Sequence, residues 1–420
     1  VIIVDAEPSQ KSETARLPNG SLGQAPAFSG VSYQTVAWER DPAIPASRRQ
    51  QRLQSGDYHA AIPAQISTAT FDIDAELRVE AAEAAATLHR FDSELGRFTA
   101  PFSAILLRTE AASSSQIEQL TASAKQVSLA QAGAKHASPN ARAIAANTNA
   151  MRRALDQPDT IPFDEQILRI HQTLMETDPA MAWCAGKWRT QQVWIGGGAS
   201  PHTATFVPPT HERVAACMHD LAVFTQRVDI GPLEQIAIAH AQFETIHPFP
   251  DGNGRTGRAL AHTMLKQFGV VQHTTAPISA GILQQQQHYF EALTAYRAGD
   301  VQPIIEVFVA AAFAAAHFGS RLANDTKAVQ DRWHAAIPSR AGSAARRGID
   351  FITETPAFTT TALANHLGVT YGAAANAVAT YERHGVCQQA SSNKRNRYWL
   401  ATELIETLDA FAEELRRPKP

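Results

Sequence analysis

The sequence is poor in the features that would set a function class at a glance. Its 420 residues hold only three cysteines, Cys184, Cys217 and Cys387. They are widely spaced and form no CxxC pair, which argues against a disulfide framework and predicts a reducing, cytoplasmic setting. An excess of charge is lacking too: 37 basic residues face 40 acidic ones, a net charge of -3. No global field therefore draws the chain to nucleic acid or membrane, and any such binding must come from a local patch. No apolar run approaches the length of a membrane span, and the Ala-rich stretch 307–318 is expected to be too short for one. Residues 1–13 lack a basic n-region and a long apolar core, so no secretory signal is expected. The sixteen histidines form no HExxH pattern or close cluster. His171, His202 and His211 accordingly read as surface or satisfied core residues. Cys184, beside Trp183, reads as a small buried hydrophobe. No internal repeat is found.

What is present is apolar material for a large core, 44% hydrophobic against 18% charged, in a chain long enough for two to four domains of about 100–200 residues. Residues 1–55, rich in Pro, Ser, Gly and Gln, read as a partly irregular N-terminal arm whose Tyr33 and Trp38 pack on the body. From Phe71 apolar positions recur with helical spacing (Leu77, Ala81, Ala84, Ala85, Leu88), and Gly96 is a stop signal. Further helices are predicted from near Pro101, over 144–155 and over 163–175. This makes 56–155 an N-terminal helical region and 156–322 a helical core. Within the core, KWRTQQVWIGGGASPHTATFVPP (187–209) departs from the habit: β-prone residues around a Gly triplet predict a hairpin flap. Residues 323–350 are largely polar and predict a linker, followed by a closing domain over 351–420.

Chemistry concentrates in His247-Pro-Phe-Pro-Asp-Gly-Asn-Gly-Arg-Thr-Gly-Arg258. An apolar helix carrying Ile236, Ile238, Ala239, Phe243 and Ile246 delivers His247, and Pro248 and Pro250 end it. The turn Asp251-Gly-Asn-Gly254 presents bare N–H groups at the start of the next helix, an anion site. Arg255 and Arg258, three apart, share a face and can clamp phosphate oxygens with planar forks. Asp251 offers a hard oxygen to Mg²⁺. His247, mostly neutral at pH 7, can take a proton from an attacking hydroxyl. Base, metal ligand, oxyanion cradle and cationic clamps are the parts that phosphoryl or nucleotidyl transfer needs.

This window resembles the Fic motif, HPFx[D/E]GNGRxxR, at every fixed position. The resemblance implies an all-α Fic fold with a small β-hairpin flap, binding ATP with Mg²⁺ and transferring AMP to a Ser, Thr or Tyr hydroxyl of a target protein. On it, His247 is the base and Asp251 holds Mg²⁺. Gly252, Asn253 and Gly254 cradle the α- and β-phosphates, Arg255 meets the β-phosphate and Arg258 the γ-phosphate, with Thr256 and Gly257 in the same ATP-binding segment. The related Doc kinases carry Lys where this chain has Gly254, so the resemblance favours adenylylation. Val193, Trp194 and Ile195 resemble the flap that pairs with a target's backbone. Gln284 stands where relatives place an Asn near the nucleotide, and an ordinary polar helix face fits it equally.

Upstream, Ser114-x-x-x-Glu118 lies on one helical face and resembles the inhibitory helix motif [S/T]xxxE[G/N]. There the Glu pairs with the second motif Arg, here Arg258, and denies it to the γ-phosphate. The chain departs from the pattern at Gln119, where Gly or Asn is expected. Residues 359–378 read as helix, turn at Gly368, helix. With a wing tipped by Lys394, Arg395 and Arg397, they resemble the winged-helix domain behind many bacterial Fic cores. Its second helix is Ala-rich and short of base-reading side chains, so dimerisation or target docking stands beside DNA binding. A nucleotide-sensing DNA-binding regulator, removal of AMP, and use of another nucleotide are the alternative readings. Self-modification and a homodimer stay open.

Overall fold

The computed structural model describes residues 25–38, 47–48, 55–96, 101–157, 160–196, 200–340, 342–390 and 397–416. The first half of the helical body comprises α1 (Ala75–Leu95), α2 (Pro101–Ile117), α3 (Ala124–Gln131), α4 (Pro139–Asp156) and α5 (Phe163–Met175). Local chemistry sets the boundaries. Pro101 and Pro139 open α2 and α4, where a missing N–H costs nothing, and the Ser123 and Ser138 side chains accept N–H bonds at the starts of α3 and α4. Leu77, Ala81, Ala84, Leu88 and Phe91 form the buried stripe of α1. In its last turn, the buried Asp92 carboxylate accepts backbone N–H bonds from Gln272, His273 and Thr274.

The second half is α6 (Val214–Phe224), α7 (Pro232–Ile246), α8 (Asn253–Gln267), α9 (Ile278–Gln284), α10 (Gln286–Ala298) and α11 (Gln302–Ala336). Every residue of α7 from Leu233 to Ile246 is buried, as expected of a helix enclosed on all sides. It packs on α8 and α11, and α1 lies along α11.

In the described part of the N-terminal arm β1 (Ser32–Val36) pairs antiparallel with β2 (Tyr58–Ile62) just beyond it, Ser32 opposite Ile62. Trp38 packs edge-on to Tyr58. Residues 1–24 of the arm lie outside the described residues. The polar stretch read as a linker is mostly helix. α11 runs unbroken to Ala336, because Thr326, Val329, Gln330 and Trp333 keep a buried stripe of helical spacing within polar sequence, and α12 (Ala344–Glu354) follows shortly. Finally, α11 is long and apolar enough, by length and composition alone, to cross a membrane, and 61% of its most apolar window is buried within the protein. We describe it as the core helix against which α1, α7 and α9 pack.

The C-terminal unit continues with β3 (Ala357–Phe358), α13 (Thr360–Leu367), α14 (Tyr371–Arg383), β4 (Gln388–Gln389), β5 (Trp399–Leu400) and α15 (Thr402–Arg416). Its strands form a small antiparallel sheet in the order β3-β5-β4. The tip residues Lys394 and Arg395 lie outside the described residues. The unit is bound to the body: Arg321 pairs with Glu414 through both guanidinium nitrogens, Trp333 Nε1 donates to Glu403, and Arg108 donates to the Glu354 carbonyl.

Candidate active site

α7 ends on His247 itself, which adopts the left-handed conformation (φ 49°, ψ 62°) and still donates its N–H to the Phe243 carbonyl. A non-glycine residue at positive φ is costly and marks a site held by its surroundings. The clamp is Arg189, only 3% exposed. Its guanidinium donates to the carbonyls of His247 (2.9 Å), Gln191 (3.1 Å) and Pro209, and its own N–H donates to the Pro248 carbonyl. Burial pushes its pKa down to about 10. Arg189 thus ties both limbs of the flap to the end of α7.

The chain then turns into α8 through Gly252, the N-cap, at φ 77°. The positive φ favours glycine, and a Cβ there would press on Met175 Cε at 2.1 Å. Asn253 bridges the turn: its Oδ1 accepts from the Phe249 N–H and its Nδ2 donates to the Phe249 carbonyl, each at 2.9 Å. Both ends of this amide are therefore bonded to the backbone of the turn, which holds the turn's shape. Below the turn, His171 stacks on Phe249 with centroids 3.6 Å apart. It accepts from the Gly186 N–H at Nδ1, which leaves Nε2 to donate to the Asp251 carbonyl. Burial lowers its pKa to about 4, so it is a neutral core residue.

Two arginines sit over the α8 N-terminus. Arg255 is buried, with Nη2 3.6 Å from Asp251 Oδ2 and no partner at Nε; burial lowers its pKa, with Asp251 and Glu118 opposing. Arg258 is 2% exposed. It donates from Nε to Ser114 Oγ and from Nη2 to the Ser114 carbonyl and Glu118 Oε1, each at 2.8 Å. Burial works against the charge on Glu118, but Arg258, with Arg255 and His247, holds its carboxyl below the ordinary range. Glu118 also reaches over the turn: a Cβ on residue 254 would lie 2.0 Å from its Oε1. A side chain at 254 would therefore oblige the Glu118 carboxylate to shift.

α2 ends as a Schellman turn, with Leu120 N–H bonded to the Ser115 carbonyl and Gln119 N–H to the Gln116 carbonyl. Gln119 is left-handed, φ 61°, which accounts for the Gly or Asn preference at this place.

The remaining site residues are placed as follows. Thr256 is fully buried, and Gly257 packs against Phe243 and Glu244, so both shape the helix contact. Ile195 forms a single bridge with Phe206, donating its N–H at 2.8 Å; Gly197, Gly198 and Ala199 lie outside the described residues. Trp194, expected to wall a target groove, packs edge-on to Trp38 at 5.7 Å. The Val193 carbonyl accepts from Gln192. Gln284 ends α9, whereas Gln286 donates to the Ile117 carbonyl at the end of α2. Arg189, Glu244 and Gln286 were not identified from the sequence. A cavity of about 860 Å³ is lined by residues of the C-terminal unit such as Thr359, Tyr371 and Trp399 and by none of the motif.

Comparison with known proteins agrees with this geometry. The Fic/DOC family pattern matches residues 160–265, and the Fic/DOC family N-terminal pattern matches 77–156. The chain is 30% identical over 148 residues to Protein adenylyltransferase fic-1 of Caenorhabditis elegans, covering 35% of this chain and 26% of that protein. It is 30% identical over 148 residues to Protein adenylyltransferase Fic of Aedes aegypti, covering 34% and 26%. It thus spans about a quarter of the length of these curated relatives. In fold it resembles a Fic family protein from Desulfovibrio desulfuricans G20, with a TM-score of 0.52 and 21% identity over 79% of this chain and 97% of that one. The body is a mostly helical Fic fold with small antiparallel sheets, and the chain belongs to the Fic/DOC family, its N-terminal region included.

Proposed function

We propose that the protein transfers AMP from ATP to a Ser, Thr or Tyr hydroxyl of a target protein, itself among the candidates, and that Glu118 restrains the reaction. The observation that carries this reading is the set of groups around the α8 N-terminus: a neutral imidazole, inward N–H groups and two buried guanidiniums. Burial, then Arg297 and Arg189, lower the His247 pKa to about 3. Its Nδ1 is buried, which leaves Nε2 for an incoming hydroxyl. The hydroxyl oxygen attacks the α-phosphorus as its proton passes to Nε2; the bond to the bridging oxygen breaks and pyrophosphate leaves. The cradle and Arg255 stabilise the negative charge that develops.

The exposed Asp251 carboxylate at the turn suits Mg²⁺, which takes one or two carboxylates plus substrate phosphates. Bound there, the ion would neutralise phosphate charge. In the resting site Glu118 lies on the anion-binding helix end and takes up Arg258, so a γ-phosphate must displace it. We expect Glu118→Gly to raise incorporation from α-labelled ATP, with mass spectrometry naming the donor group and the modified residue. No heat with magnesium-loaded triphosphates in either protein would refute the nucleotide site, and an unchanged rate would remove the restraint.

We read the C-terminal unit as a winged helix, supported by the succession α12, β3, α13, α14 and the β4–β5 wing. Ala-rich α14 favours docking or dimerisation over base readout. Salt-sensitive binding of duplex DNA by the full chain would reverse that preference.

A further inference from the structure

Two buried polar atoms stand beside each other in the site without a bond. His247 Nδ1 has no hydrogen-bond partner, nor has Glu244 Oε1, and Glu244 Oε2 lies 3.9 Å from Nδ1. Glu244 occupies the last turn of α7 and is 6% exposed, three residues before the base and on the same side. Gly257 makes room for it: a Cβ there would meet Glu244 Oε1 and the Phe243 ring, each at 2.9 Å. A buried carboxylate is costly without a partner, and this one stands 3.9 Å from the imidazole.

We propose that Glu244 is the positioning residue for His247: its carboxylate accepts Nδ1–H when Nε2 takes the hydroxyl proton, which fixes the tautomer and stabilises the imidazolium. This rests on the reading of His247 as the base. The proton moves from the hydroxyl to Nε2, Nδ1 keeps its own, and no further proton is transferred. An acid that orients a general base in this way recurs in unrelated active sites.

The charged groups facing the pair are Arg258 on α8, Arg297 on α10, Arg189 in the flap and Glu118 at the end of α2. Tyr289 and His240, bonded to each other at 2.8 Å, complete the surroundings. Burial raises the Glu244 carboxyl to about 7, with Arg258 opposing and Glu118 adding. The pair therefore takes up a proton near pH 7, and that proton sits on Glu244. The ionised form that can receive Nδ1–H is gained as pH rises through about 7. The Glu244 backbone carbonyl is the rival acceptor, since it also favours a protonated ring.

The test uses the full chain carrying Glu118→Gly, with and without the isosteric Glu244→Gln. NMR of labelled histidine, with His247 assigned by its loss in His247→Asn, is expected to show a ring-shift inflection that Glu244→Gln abolishes, at or below pH 7 because the Glu118 charge that helps raise Glu244 is absent. The kcat for AMP transfer is expected to rise through the same pH, and Glu244→Gln to lower it about 10²-fold with the KM for ATP little changed and the rising limb lost. Transfer with no inflection and an unimpaired Glu244→Gln protein overturns the role of Glu244 and leaves the carbonyl as sole acceptor. Absence of transfer in the Glu118→Gly protein itself overturns the AMP-transfer reading instead. Should Glu244→Gln fail to fold, the presence or absence of the inflection with Glu244 intact decides.

Discussion

Gln119 holds a left-handed conformation, φ 61°, at the joint that carries Glu118 to Arg258. A side chain there costs roughly 1 kcal/mol relative to glycine. Gln119→Gly is therefore expected to stabilise the protein by about that amount and to lower basal AMP incorporation, since the turn that aims Glu118 is relieved. A higher melting temperature with a lower basal rate is the paired readout, and a raised rate contradicts it. Asn253 lies at the other extreme of cost. Asn253→Ala leaves a buried N–H and a buried carbonyl of Phe249 without partners, so a loss of about 2–3 kcal/mol is expected in denaturant titration. Asn253 was legible as a site residue because the motif is contiguous. Its bonding was not, because the sequence does not tell whether an amide faces a ligand or its own turn.

At the scale of elements, α2 meets α8 and the flap meets α7. The first contact is an ion pair whose acid is depressed. The charge on Glu118 is thus present above the ordinary carboxylate range and lost only as pH falls through its lowered pKa. Between pH 6 and 8 Glu118 is expected to stay ionised, so Glu118→Gly should raise the rate over the native protein at every pH in that window. The second contact depends on Arg189, which serves carbonyls from both limbs of the flap and from the cap of α7. Arg189→Met strips those carbonyls of a donor, and a loss of about 3 kcal/mol with loss of transfer is the expected result. Ser114 and Glu118 were legible because four-residue spacing shares a helical face. Arg189 was not, since its partner His247 is 58 residues away.

For the whole molecule, enclosure of the site sets the response to acid. Burial holds His240 and His247 at about 3 and His171 at about 4, and raises Glu244 to about 7. Between pH 6 and 5 the unfolded chain binds three protons that the folded imidazoles refuse, while the folded protein keeps one on Glu244. The net difference is about two protons, so unfolding free energy should fall by roughly 2–3 kcal/mol per pH unit. Denaturant titrations at pH 6.5, 6 and 5 measure it, and a flat profile would mean that these groups are solvated. The same enclosure explains how far the sequence could be read. Helix spacing in α1, the prolines opening α2 and α4, and the twelve-residue window follow from neighbours along the chain, so fold class and candidate chemistry were determined there. The polar second half of α11 reads as a linker by composition, and the burial of Thr326, Val329, Gln330 and Trp333, with Trp333 donating to Glu403, shows it to be an enclosed helix. Which acid stands beside the base and which cation closes the flap were decided by tertiary structure alone. Each of these contacts joins separate elements or rests on depth of burial, and a linear pattern records neither.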